Sequence, residues 1–480
     1  MSSELMGLII AGPLLGGLAA AVWPNHARNI GLLSLLLASI CAIALFSHIA
    51  LTGHEANQLL GGWQAGLAIK LHADALSALM LALTAVAAIA VSIYATRYFG
   101  TQQQAARFWP LWLLLVSALN VLFLSADLFN IYVALELLGL SAVALTALGG
   151  KRESIKAALR YLLVGLLGSM SYLAGVAILY TALGTLDMQL VSQRISVDVS
   201  SALALLLMTG GLLLKTALFP LHFWLPAAHS NAPAPVSAAL SALVVKAGFY
   251  LVLRLWTEVY PPALTPPGAI LVGALGCAAI LWGSWQALRA ERLKLLAAYS
   301  TVAQLGYLFV GLALLVTTPP GEARDVIFGA LVLMAITHGL AKSSLFLAIG
   351  VVQQHAGHDR VDQLDGTSQS LPATTFALAL AGVALIGLPP SGAFLGKWHL
   401  LNASMDGGLW PVVLVVAVGS LLAAAYIFRV LGHAFGSTAL ASRPVNVAAE
   451  EWPALGLGLL ATVFLGLGSA WLWDLMEVAR

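Results

Sequence analysis

The sequence predicts an all-α integral membrane protein of about fourteen transmembrane helices. Three observations carry that prediction. Of the 480 residues, 60% are hydrophobic and only 9% are charged, whereas soluble domains carry about 25% charged residues. Mean hydropathy is +0.94. Apolar runs long enough to cross a bilayer recur from end to end. A chain so poor in charge cannot cover a water-facing domain, so a soluble catalytic unit is excluded. Its net charge of +2 leaves no basic face for nucleic acid. Cys41 and Cys277 both sit in apolar runs and suggest neither a disulfide nor a metal cluster. No Gly-rich phosphate loop, Ser-His-Asp set or haem-attachment motif occurs. The chain is therefore expected to have no catalytic site, cofactor or metal of its own.

Reading for segments of about 20 apolar residues places span centres in order. They fall near Leu15, Leu37, Leu83, Leu115, Leu138, Ala174, Met208, Leu243, Leu275, Gly306, Met334, Leu388, Val418 and Val463. The first is a span rather than a signal peptide, because Glu4 stands where a basic segment belongs and the chain re-enters the membrane at once. The seventh and twelfth runs, 200–230 and 374–402, are too long for one straight crossing. Each carries interior prolines: Pro220 and Pro226 in one, Pro389 and Pro390 in the other. Proline removes a backbone donor and clashes with the preceding turn, so both spans are expected to be interrupted. Backbone broken at membrane depth is tolerated only where it faces protein or a wet cavity.

The two breaks lie five spans apart, and a five-span unit repeated in tandem must be inverted. Residues 107–256 and 267–434 are expected to form such repeats, flanked by 1–106 and by a last span over 452–474. This is an architecture of ion-coupled transporters. Of the 22 Lys and Arg, four lie inside spans, thirteen in loops after odd-numbered spans and five on the other face. The excess puts the odd loops in the cytoplasm and both termini outside.

The deep ionisable residues point to function. Lys or Asp at a helix centre costs about 2.5–3.5 kcal/mol on the insertion scale, so such groups must be paired or hydrated. Glu136 lies inside the fifth span, Lys215 beside the break of the seventh, and Lys246 in mid-membrane on the eighth. His338 and Lys342 share one face of the eleventh at i, i+4. Lys397 follows the Pro389–Pro390 break by seven residues. A single intramembrane lysine can snorkel or hold helices together; a set over five spans reads as a lateral proton path. Burial disfavours a charged amine and a neighbouring carboxylate favours it, so each group can load or release a proton as its neighbour's charge moves. His222 and His229 flank the seventh-span break and can shuttle protons between lysines; each reads equally well as a packed histidine. The loop HAGHDRVDQLDG (355–366) has neither calcium-loop spacing nor a cysteine and is expected to be a solvated connector.

Four segments then carry a resemblance. DLFNIYVALELLGLSAVALTALGG (127–150), KTALFPLHFWLPAAHSNAPAPVSAALSALVVKAGFYLVLRL (215–255), THGLAKSSLFLAIG (337–350) and GLPPSGAFLGKW (387–398) resemble the antiporter-like membrane subunits. That family is shared by Mrp-type cation/proton antiporters, respiratory complex I and membrane-bound hydrogenases. The resemblance runs from about Asp74 through the thirteenth span. It implies a fourteen-helix fold with inverted five-helix repeats, and a hydrated axis on which Glu136 pairs with Lys215. It further implies that Lys246 is central, His338 and Lys342 form a bridge, and Lys397 lies near the far exit. The DLFN-x-Y-V…E segment and the length are most similar to the D-type Mrp subunit or hydrogenase relatives, while the seventh-span region suits complex I equally. The end of the chain six residues after Asp474 suggests a member without the long lateral helix.

The implied partners are protons, sodium or another monovalent cation, the lipid bilayer, and homologous and small membrane subunits of a bacterial inner-membrane hetero-oligomer. Any redox chemistry belongs to such partners. Two rival readings are a stand-alone solute transporter and a quinone-binding redox subunit. The first needs mid-membrane Asn, Gln and Arg, which the spans nearly lack; the second needs a lipid-facing His/Tyr pair.

Overall fold

The computed structural model describes residues 2–61, 68–261, 264–436 and 448–478. Arg443 and Arg480, both counted among the loop charges, lie outside the described residues. Among those described, thirteen helices are long and apolar enough to cross a membrane. The twelfth span, made of the two shorter helices Pro372–Ile386 and Gly392–Asp406, completes the expected fourteen. The seventh is also interrupted: Val199–Thr216 ends at Ala217, which adopts the left-handed conformation (φ 60°), and the chain resumes as Leu225–Asn231.

The spans differ in how much they bury. Those over Ala234–Val259, Leu293–Thr317 and Glu322–Ala356 are the most enclosed, whereas Ser2–Val22, Arg152–Leu183 and Trp410–Ala434 expose long apolar stripes. The enclosed spans are the eighth, tenth and eleventh. Lys246 and Lys342 sit on two of these spans, where backbone and hydroxyl oxygens receive each ammonium.

Close helix approach rests on glycine. A Cβ at Gly211 would lie 2.3 Å from the Gly168 carbonyl oxygen, and one at Gly168 would lie 2.9 Å from that of Gly211. The sixth and seventh spans therefore touch backbone to backbone, as small residues permit in membranes.

Two elements lie outside what hydropathy predicts. A β-hairpin, β1 (Ala56–Leu60) and β2 (Ile69–Ala73), pairs antiparallel from Ala56↔Ala73 to Leu60↔Ile69. Its strands are short and half polar, below what hydropathy windows detect. A short helix, Met188–Arg194, lies on the same face and accepts the Lys70 ammonium on the Gln189 side-chain oxygen at 2.7 Å. On the opposite face the 355–366 loop is more than a solvated connector. Asp359 is buried and paired with Arg292 at 3.0 Å, and its carbonyl accepts the Leu293 amide.

Candidate functional site

Lys246, His338, Lys342, Lys397, His222 and His229 are buried and Glu136 and Lys215 partly buried, and the spans bring the acid and lysines together in two groups. The first is Glu136 with Lys215. They line one narrow cavity between the fifth, sixth and seventh spans, together with Gly139 and Tyr161. The expected direct ion pair is not made. The Lys215 ammonium donates instead to the Leu135 carbonyl at 3.4 Å, and Glu136 Oε1 is buried without a partner. The pair interacts through space rather than through a hydrogen bond. Gly139 lies beside the ammonium: a Cβ there would make an ordinary contact with it at 3.6 Å. At the break itself, the Trp224 indole stacks on Tyr161 at 4.3 Å and donates at 3.0 Å to the Leu214 carbonyl, which also accepts the Ala217 amide.

The second group is Lys246, His338, Lys342 and Lys397. Lys246 is fully buried and donates to the Ser241 carbonyl. That acceptor is made available by a π-helical turn, Leu240–Val244, in which the Val245 amide reaches back to Leu240 rather than to Ser241. Such wide turns recur at functional positions. Lys342 donates to the Ala297 carbonyl at 2.9 Å and to the Ser300 hydroxyl. His338 lies within electrostatic reach of Lys246, Lys342 and Lys397, and neither ring nitrogen has a protein partner.

Lys397 shows why the second break exists. Along an uninterrupted helix the carbonyls of Leu385 and Ile386 would accept from residues 389 and 390, but both are proline and carry no N–H. The ammonium of Lys397 takes both, at 3.2 and 3.0 Å, with Ser420 Oγ at 3.4 Å. The double proline thus orphans the two acceptors that the lysine uses.

His229 is buried with both ring nitrogens unpartnered, stacked on Phe346 at 5.0 Å and within electrostatic reach of Lys246, Lys342 and Lys294. It lies between the seventh-span break and the second group. His222 lines a cavity of about 530 Å³ on the face opposite the hairpin, with Arg160, Phe219, Trp282 and Gln286. Lys215 and Lys246 are joined by packing alone: Gly248 lets Thr216 approach, and no polar group bridges them among the described residues.

Four residues escape the sequence reading. Hydropathy places Lys294 in a loop, but it is buried and donates to the Ala232 carbonyl at 2.9 Å. Arg254 also reads as a loop residue, yet it is buried between Asp74 and Glu258. Its signal is present in the sequence: Lys246, Tyr250, Arg254 and Glu258 recur every four residues, one face of a helix. Gln304 and Tyr307, at i, i+3 on the tenth span, both turn toward the Leu385–Lys397 break.

Above Arg254, on the hairpin side, a chamber of about 630 Å³ is lined by Glu55, Lys70, His72, Ser77, Tyr250 and Glu258, among others. Burial would raise the Asp74 carboxyl, but the Arg254 guanidinium and the Ser77 amide outweigh it and hold the group well below the usual carboxylate range. Burial pushes the neighbouring His72 imidazole down. Among the described residues no three His, Cys, Asp or Glu are grouped to hold a metal ion.

Residues 125–423 match the family described as NADH:quinone oxidoreductase/Mrp antiporter, TM. The chain is 35% identical to the N-type subunit of NADH-quinone oxidoreductase of Desulforudis audaxviator, over 97% of this chain and 96% of that one. It is 29% identical to the D-type subunit of the Na(+)/H(+) antiporter of Bacillus subtilis, over 88% and 84% respectively. A solved structure of a membrane-bound sulfane sulfur reductase, an archaeal respiratory membrane complex, contains a chain that superimposes with a TM-score of 0.90. That match is 27% identical and covers 99% of this chain and 97% of the other.

Proposed function

Since the chain belongs to the NADH:quinone oxidoreductase/Mrp antiporter membrane family, we propose that it is a proton-translocating subunit of a multisubunit membrane complex. The observation that carries the reading is His338, its two ring nitrogens unpartnered amid three enclosed lysines. An imidazole there can take a proton from one amine and give it to the next. Each lysine rests on carbonyl or hydroxyl oxygens, which hold an ammonium without fixing it to a permanent counter-ion.

In the proposed sequence, Glu136 and Lys215 sense or supply a charge at one end. Their mutual distance sets the field felt by Lys246, which exchanges protons with Lys342 and Lys397 through His338. His229 and His222 offer a branch toward the face opposite the hairpin. At an effective dielectric near 20, unit charges 4 Å apart interact by about 4 kcal/mol, enough to switch a proton between neighbours.

The ion exchanged for protons is proposed to be sodium or another monovalent cation, as in the D-type member of Mrp antiporters. In the alternative the same path is driven by electron transfer in a complex I-like or hydrogenase-like assembly. Homologous and small membrane subunits would cover the apolar flanks. Residues 107–256 and 267–434 are proposed as the inverted repeats; the lysine precedes the break in the first and follows it in the second, so the halves differ there. Setting aside the buried Lys294 and Arg254, the loop count becomes twelve against four. This supports termini outside the inner membrane of a bacterial cell.

Vesicles carrying the assembled complex test the reading. Lys246→Ala and Glu136→Ala should abolish pH changes driven by an ion gradient or an electron donor while leaving assembly intact. Wild-type transport by both would overturn it. Dependence on an applied sodium or potassium gradient, against dependence on an electron donor, separates the two branches.

A further inference from the structure

We infer that Tyr307 is a positioning residue for this path: its ring face holds the Lys397 ammonium in the gap of the twelfth span. The inference rests on the proposed proton path and concerns its far end.

The ammonium lies 4.1 Å from the Tyr307 ring centroid, well inside the range of a cation–π contact. Two carbonyls orphaned by Pro389 and Pro390 take its other donors. Of those carbonyls, Leu385 also accepts the Gln304 amide at 2.7 Å, so the cage wall is fixed independently of the lysine.

The ring is itself held in place. Its hydroxyl reaches the Val416 carbonyl at 3.5 Å, and a Cβ at Gly419 would come within 2.4 Å of that hydroxyl. Glycine on the thirteenth span therefore makes room for the tyrosine.

The titratable groups facing Lys397 from its neighbours are Tyr307, Tyr426 beside it, and His338 on the eleventh span. Among the described residues no carboxylate pairs with Lys397. A ring quadrupole attracts an ammonium and does little for a neutral amine. The cage thus favours the loaded lysine without a counter-charge that must move when the proton leaves.

The test is the pH profile of transport in vesicles of the intact complex. Tyr307→Phe keeps the ring face and loses only the long 3.5 Å contact to the Val416 carbonyl, so its profile should stay close to wild type. Mono-, di- and trifluorinated phenylalanine at the same position keep the shape and weaken the quadrupole stepwise. The limb governed by Lys397 should then move to lower pH with each fluorine. Tyr307→Leu should move it furthest, on the order of one pH unit. Gly419→Ala, which crowds the ring, should move it the same way. If Lys397→Ala is inactive and the fluorine series shows no trend, the role of Tyr307 is overturned while the path stands. If Lys397→Ala transports as wild type, the path itself fails. Should Tyr307→Leu not assemble, the fluorinated series decides alone.

Discussion

The Arg254 guanidinium and the Asp74 carboxylate, 180 residues apart in the chain, meet in a two-pronged ion pair at 2.5 and 2.6 Å. The remaining donors go to Glu258, Ser77 and the Tyr250 hydroxyl, so all five N–H groups are satisfied. Asp74 also caps the third span by accepting the Ser77 amide. One carboxylate thus ends a helix and binds it to the eighth span beneath the hairpin-side chamber.

Asp74→Asn leaves a buried guanidinium without its main counter-charge. Breaking such a pair from one side costs about 3–5 kcal/mol, which should appear as a lower thermal midpoint of the detergent-purified complex. A midpoint within a degree of wild type would show that Glu258 suffices.

The same carboxylate makes stability depend on acid. Its proton affinity is depressed in the folded state, so its contribution is complete above the unfolded carboxyl range and is lost as pH falls through the folded value. Wild type should lose stability on strong acidification more steeply than Asp74→Asn, as read from melting curves between neutral pH and the acid limit. Parallel curves would contradict the assignment.

Neighbouring glycines of the seventh span should respond differently. A Cβ at Gly211 meets the Gly168 carbonyl at 2.3 Å, whereas one at Gly210 meets nothing within 4 Å. Gly211→Ala should push the sixth and seventh spans apart, loosen the Lys215 site and reduce transport several-fold. Gly210→Ala should be neutral. Equal effects would mean that the backbone contact is not what sets the site.

His338→Phe separates folding from transport. Replacing a buried ring with unmet nitrogens by an apolar ring of similar shape is close to neutral for stability, or favourable. The variant should assemble with an unchanged or raised melting point and lose most proton flux. Retained flux would remove the imidazole from the path.

Much of this was legible in the sequence because a bilayer permits few solutions. All fourteen span centres fall within their spans except Leu388, which sits in the break that Pro389 and Pro390 predicted. The six ionisable residues stand out because charge inside an apolar run is costly wherever it occurs. Arg254 and Lys294 did not, because they lie near span ends, where hydropathy cannot distinguish a buried residue from a solvated one. Nor could spacing reveal that Glu136 and Lys215 stop short of contact, since that depends on a few ångströms of side-chain placement. The aromatic Tyr307 gave no signal because a tyrosine in a membrane helix reads as ordinary packing.

The π turn at Leu240–Val244 has a reach beyond the amine it serves. It inserts the equivalent of one extra residue into the eighth span, and that residue rotates everything after it by about 100° relative to a regular helix. The angular setting of Tyr250 and Arg254 therefore depends on the same local winding that frees the Ser241 oxygen. Deleting a single residue there would withdraw the lysine's acceptor and swing the arginine off its aspartate together, so the mid-membrane and hairpin-side sites share one mechanical origin.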